Sequence, residues 1–222
     1  MDKVLEYAAL VIGHTGLIGN QLVDQLIKDP KCTNIRCFGR RGIPDLHHEK
    51  LETIITNFEN LSDISDHIKG TVLFSAMGTT IRTAGSKEAQ YKVDVTYPLE
   101  FARLAVKNGV KSYVLVSSMG AKSKSDNFYS KIKGEMEDAV KMIKFNTIHI
   151  YRPSILDGDR KENRVMEKIG IRVMRQLACW NILTKYRPMK DYLLAAAMIK
   201  GFTTKQPSFT KENQEIYDFL AE

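Results

Sequence analysis

A doubly wound α/β fold, with a parallel sheet covered by helices on both faces, is what this 222-residue sequence predicts. Three observations point to it. Short apolar runs alternate with stretches of helical periodicity, the signature of successive βαβ units. Runs such as YAALVI are almost continuously apolar, as strands buried on both faces must be. No repeat, low-complexity tract or Pro/Gly-rich linker divides the chain.

The first strand is Tyr7–Ile12. The helix after it carries Leu17, Ile18, Leu22, Val23 and Leu26 at helical spacing, and it ends at Asp29-Pro30 because proline cannot continue a helix. Strands two, three and four are read at 34–38, 53–56 and 71–75. A long helix over 93–107 stops at Asn108-Gly109. The fifth strand is 113–117, followed by a helix over 129–142 and a sixth strand at 147–151. Six strands linked by helices imply the order 3-2-1-4-5-6, with ligands bound beyond the carboxyl ends of the strands. After the sixth strand, 164–184 reads as a helix or two, with Val165, Ile169, Val173 and Leu177 on one face and Trp180, Ile182 and Leu183 adding apolar bulk. That segment suits a lid, a partner surface or ordinary core. A final helix is read at 191–200 and a short terminal element at 216–220. The whole of 1–222 is expected to form one domain, in which residues from about 154 supply a small substrate-side region.

With 43% apolar and 27% charged residues, the chain can bury a sizeable core and stay soluble. Its apolar stretches fall far short of the roughly 20 residues of a membrane span. Residues 1–10 include Asp2 and Glu6 and lack the pattern of a signal peptide. Cys32, Cys37 and Cys179 show neither metal nor redox spacing, and their odd number argues against a secreted disulfide framework. These features point to the cytoplasm. The net charge of +7 includes a bunch at Lys161, Arg164, Lys168, Arg172 and Arg175. No aromatic-interleaved basic motif or recognition helix accompanies it, so a solvated surface or a mouth attracting an anion is favoured over nucleic acid.

Where the first strand passes into its helix stands Val11-Ile12-Gly13-His14-Thr15-Gly16-Leu17-Ile18-Gly19. In this G-x-x-G-x-x-G run one glycine permits the tight turn, one lets the backbone approach a pyrophosphate, and the last lets the helix pack on the sheet. The helix N-terminus adds free N–H groups and partial positive charge. Gly13, Thr15, Gly16, Leu17, Ile18 and Gly19 are therefore assigned to a dinucleotide, and His14 reads as a tolerated loop residue. NAD-selective sites carry an acidic residue about 20 positions on. Here the second strand ends in Cys37-Phe38-Gly39-Arg40-Arg41. A guanidinium fork suits a 2′-phosphate, so NADP(H) is expected over NAD(H), with Arg40 the better candidate and Arg41 its neighbour.

Ser117 and Ser118 end the fifth strand, and eleven residues after Ser118 comes Tyr129-Ser130-Lys131-Ile132-Lys133. Tyrosine and lysine at i and i+4 share one helix face. A nearby ammonium favours the phenolate of a tyrosine that otherwise titrates near pH 10. A serine hydroxyl opposite can hold a substrate oxygen while hydride moves. Met119, Met136 and Met142 read as gap-fillers of the core.

Taken together, the glycine run, Ser118 and Tyr129-x-x-x-Lys133 resemble the short-chain dehydrogenase/reductase superfamily. Val116-Ser117-Ser118-Met119-Gly120-Ala121, the Gly134-Glu135 after Lys133 and Tyr151-Arg152-Pro153 are similar to its atypical branch, in particular to the Tat-interacting oxidoreductase-like group and its bacterial relatives. The resemblance spans roughly residues 5–200. It implies Tyr129 as general acid/base, Lys133 on the nicotinamide ribose and lowering the tyrosine pKa, and Ser118 orienting the carbonyl, with Ser117 as rival. It assigns Ala76, Met77 and Gly78 to ribose and pyrophosphate, and Tyr151, Pro153, Ser154 and Ile155 to the loop near the nicotinamide. The acidic residue expected near the adenine is replaced by Asn57, followed by Phe58. Three readings follow: an NADP(H)-dependent reductase or dehydrogenase acting on a small carbonyl or alcohol; an NADP(H) sensor reporting through a protein partner; and an epimerase using the cofactor transiently. Many atypical regulators lack the tyrosine, which this chain has. The last roughly 70 residues predict a small pocket, open or completed by a partner or second copy.

Overall fold

In a computed structural model, which describes residues 6–157 and 184–222, alternation along the first strand sets the architecture. Strand β1 (Tyr7–Ile12) turns Tyr7, Ala9 and Val11 to one core and Leu10 and Ile12 to another. Seven strands form one sheet in the order β3-β2-β1-β4-β5-β6-β9: β2 is Cys32–Gly39, β3 Leu51–Ile55, β4 Val72–Ser75, β5 Ser112–Val116, β6 Thr147–Arg152 and β9 Phe209–Glu212. All pairs are parallel. The expected order is borne out, with one strand more. Residues 216–220, read as a short terminal element, belong to a helix that follows this seventh strand.

Helix α1 (Leu17–Lys28) covers the first face with two C-terminal helices, which we number α6 (Asp191–Thr203) and α7 (Asn213–Ala221). The other face is covered by α4 (Tyr97–Lys107) and α5 (Phe128–Lys141). The helix expected over 93–107 is present but begins earlier and carries a π-helical turn. Short helices α2 (Ile81–Ala84) and α3 (Lys87–Tyr91) lead into a π-helical turn, Lys92–Thr96, before α4 begins. Strands β7 (Leu156–Asp157) and β8 (Met189–Lys190) pair separately. Among the methionines, Met136 is buried but Met142 is 84% exposed beyond the last turn of α5, so it fills no core gap. Cys179, the basic bunch and nearly all of the segment read as helical over 164–184 lie outside the described residues.

Candidate cofactor and active site

The loops after strands β1 to β6 lie at the carboxyl end of the parallel sheet. Gly13 has φ +83°, and a methyl there would lie 2.5 Å from the Ala76 backbone; only glycine lets the loop after β1 press on the loop after β4. A methyl on Gly19 would lie 2.1 Å from the Gly13 carbonyl oxygen, so the helix can approach its own loop only at glycine. The amide of Gly16 donates to that same carbonyl, at 2.9 Å. Gly16 is the N-cap of helix α1, which has no side-chain cap and no acidic residue in its first turn. Its N–H groups and partial positive charge are thus left for an anion. This cradle fits a pyrophosphate. Thr15 and Gly16 are exposed beside it, whereas the Ile18 side chain is core, leaving only its backbone to offer.

Arg40 and Arg41 are exposed where β2 ends. Arg40 lines an open cleft of 420 Å³ with Thr56, Asn57, Asn60 and Asp63. Asn57 caps a local turn by accepting from the Glu59 amide at 3.0 Å. Phe58 has φ +66° and packs its ring against Tyr97 and Phe101, so its side chain is core and not an adenine contact. A larger hollow of 660 Å³ beside β3, between Gly42 and Ile55, contains none of the predicted site residues.

The loop after β4 is tied to α5 through a residue that the sequence reading passed over. Asp94, in the π turn, accepts from the Thr79 amide at 2.7 Å and lies 3.0 Å from the Lys133 ammonium. Both side chains are buried, and Gly78 leaves room for them: a methyl there would stand 3.3 Å from Lys133 Nζ. Burial pushes the Lys133 pKa down, but the charge of Asp94, with help from Tyr129 and the Asp94 hydrogen bond, outweighs it and holds the ammonium above its ordinary value. The ammonium lies 5.6 Å from the centre of the Tyr129 ring, and Tyr129 is 41% exposed. A signal for Asp94 existed: an acid between two valines, Val93 and Val95, in an otherwise amphipathic helical run.

The adjacent serines differ sharply. Ser117 is buried and donates to Glu137 at 2.5 Å. Glu137, itself buried, also receives both arms of Arg152, at 2.8 and 2.6 Å, and Arg152 reaches on to Glu212. Ser117 is therefore held in a structural network, while the hydroxyl of the half-buried Ser118 makes, among the described residues, only a 3.4 Å contact with the Met119 carbonyl. The ladder between the β5 and β6 loops continues as Met119 N–H to the Pro153 carbonyl, 2.9 Å, which sets Ser118 beside Pro153.

Three residues expected near the nicotinamide are engaged elsewhere. Tyr151 is fully buried on the opposite face and donates to the Ala197 carbonyl of α6 at 2.7 Å. Alternation along β6 puts His149 and Tyr151 on that face together, against Phe209. The Ser154 hydroxyl donates to the Arg187 carbonyl at 2.6 Å and its amide to Asn213 at 2.9 Å. Ile155 offers its carbonyl to Met189.

Comparison with known proteins agrees with this geometry. The family model described as NAD dependent epimerase/dehydratase family matches residues 9–176. Curated relatives include "Protein fmp52, mitochondrial" of Emericella nidulans, 38% identical over 166 residues, 72% of this chain and 71% of the relative. "Protein FMP52, mitochondrial" of Candida albicans is 37% identical over 173 residues, 73% and 75% of the two chains. Among solved structures, a UDP-glucose 4-epimerase superposes with TM-score 0.70 at 13% identity, covering 96% of this chain and 80% of that one. MoeE5 in complex with UDP-glucose and NAD gives TM-score 0.68 at 16% identity, over 92% and 76%. The names of the relatives overturn the cytoplasmic expectation. An odd number of cysteines argues against a disulfide framework but does not tell one compartment from another. The chain belongs to the NAD dependent epimerase/dehydratase family and has the Rossmann-type sheet of the short-chain dehydrogenases/reductases.

Proposed function

We propose that this chain is an NADP(H)-dependent oxidoreductase acting on a small carbonyl or alcohol. The observation that carries the proposal is the buried Asp94–Lys133 pair set beneath the exposed Tyr129 ring. The exposed Tyr129 hydroxyl can meet a substrate oxygen and exchange a proton with it, beside a cationic group held in place by Asp94. The open hydroxyl of Ser118 is placed to hold that oxygen. Lys133 would also meet the cofactor ribose, with Gly13 to Gly19, Ala76, Met77 and Gly78 along the pyrophosphate and ribose and Pro153 toward the nicotinamide. When bound, the cofactor supplies or accepts the hydride. The 2′-phosphate preference rests on Arg40, exposed at the cleft, and on the exposed Arg41 next to it, where an NAD-selective site would carry an acid. Residues from about 154 onward are taken to supply the substrate side. The names of the relatives support a mitochondrial association, which fractionation of cells expressing the tagged chain tests.

The function is tested by following NADPH absorbance across a panel of carbonyl compounds, with Tyr129→Phe as control. Turnover that falls at least about 100-fold in the variant upholds the assignment. Tight NADPH binding with no compound reduced refutes it in favour of a sensor.

A further inference from the structure

His14 stands in the middle of the glycine loop, yet its side chain is only 1% exposed. Its Nε2 lies 2.9 Å from the carbonyl oxygen of Arg41. A carbonyl can only accept, so Nε2 carries the proton and donates. Nδ1 is then an acceptor, buried and, among the described residues, without a hydrogen-bond partner. Burial holds the imidazole below its ordinary pKa, against the opposing pull of the Arg41 and Phe38 carbonyls, so the ring stays neutral at pH 7. The ring is seated against Gly39: a methyl there would come within 2.7 Å of His14 Cε1. Two loops with different tasks are thereby joined by one side chain. The loop after β1 forms the pyrophosphate cradle, and the turn after β2 presents Arg40 and Arg41.

We propose that His14 is a specificity-determining positioning residue, which clamps the Arg41 carbonyl and so fixes the turn from which the two guanidiniums meet a 2′-phosphate. This rests on the NADP(H) reading above. Without the clamp, a turn ending in two exposed arginines has to be ordered at the moment of binding, at a cost in affinity. NADH loses less, because it does not draw on the guanidiniums. A side chain serving only to fill space behaves differently, since an apolar residue of similar bulk would replace it.

The full chain is titrated with NADPH and with NADH by fluorescence, with thermal melts showing that each variant is folded. His14→Leu keeps bulk and loses the donor. Its NADPH dissociation constant is expected to rise about fivefold, the size of one intramolecular hydrogen bond, with a smaller change for NADH. His14→Gln, whose side-chain amide donates from a similar position, restores the preference. Gly39→Ala carries the same test if the leucine variant does not fold, because its methyl displaces the ring. An unchanged NADPH-to-NADH ratio in folded His14→Leu or Gly39→Ala overturns the inference, as does an equal loss for both cofactors. If the unmodified chain shows no preference for NADPH, the NADP(H) reading itself fails, and the clamp with it.

Discussion

Replacing Asp94 by asparagine removes one charge from a buried pair and leaves its shape in place. The remaining oxygen still accepts from the Thr79 amide, but Lys133 loses the partner that offsets its burial. The two side chains are 0% and 7% exposed, so solvent gives little screening. Breaking a buried pair in this way costs about 3–5 kcal/mol. For a chain of this length that is a fall of roughly 6–20 °C in Tm. The pH dependence gives a second signature. In the unmodified protein the Lys133 pKa is held above its ordinary value of 10.5. Its contribution is therefore fully present below 10.5 and is lost only as pH rises through the higher folded value. In Asp94→Asn, burial acts without the carboxylate and the folded pKa falls below 10.5. The unfolded chain then binds the extra proton, and the variant gains stability as pH climbs from that depressed value toward 10.5. Thermal melts of both proteins from pH 7 to 10 should therefore converge as pH rises. A gap that stays constant across this range, or a Tm loss below about 2 °C at pH 7, refutes the reasoning.

Other outcomes follow from the same geometry. Ser118→Ala should cut turnover about 100-fold with little change in Tm, whereas Ser117→Ala should lower Tm and spare turnover; the reverse pattern would exchange their roles. Arg40→Ala should weaken NADPH binding about tenfold or more and leave NADH nearly untouched, as read by cofactor titration. Met136→Ala should cost about 2–5 kcal/mol in denaturant unfolding, while Met142→Gln, at an 84% exposed site, should stay within about 0.5 kcal/mol.

What the sequence made legible was local. The glycine run, the Y-x-x-x-K pair and the buried strands are patterns within a few residues, and they lie where they were expected. What it hid depends on contacts between distant segments. Strand β9, Phe209–Glu212, reads FTKE and carries one apolar residue; it becomes a strand by pairing with β6, some 60 residues earlier. Asp94 acquires its meaning from Lys133, 39 positions away. Tyr151 was misplaced because its family motif outweighed the period-2 alternation that sends it with His149 to the α6 face. The choice between Ser117 and Ser118 needed Glu137, which no spacing rule connects to either. His14 looked incidental for the same reason: its partner is the backbone of another loop.

The π turn at Lys92–Thr96 amounts to one surplus residue threaded into a helix. Each residue advances an α-helix by about 100°, so the surplus rotates everything downstream by that amount relative to what precedes it. On one side of the offset Gln90 bonds the Thr79 carbonyl, and within it Asp94 reaches Lys133. On the other side Phe101, Ala102 and Ala105 meet the sheet. An uninterrupted helix could not keep both alignments. Deleting a single residue here would straighten the rod and force the protein to choose between its charge pair and its core.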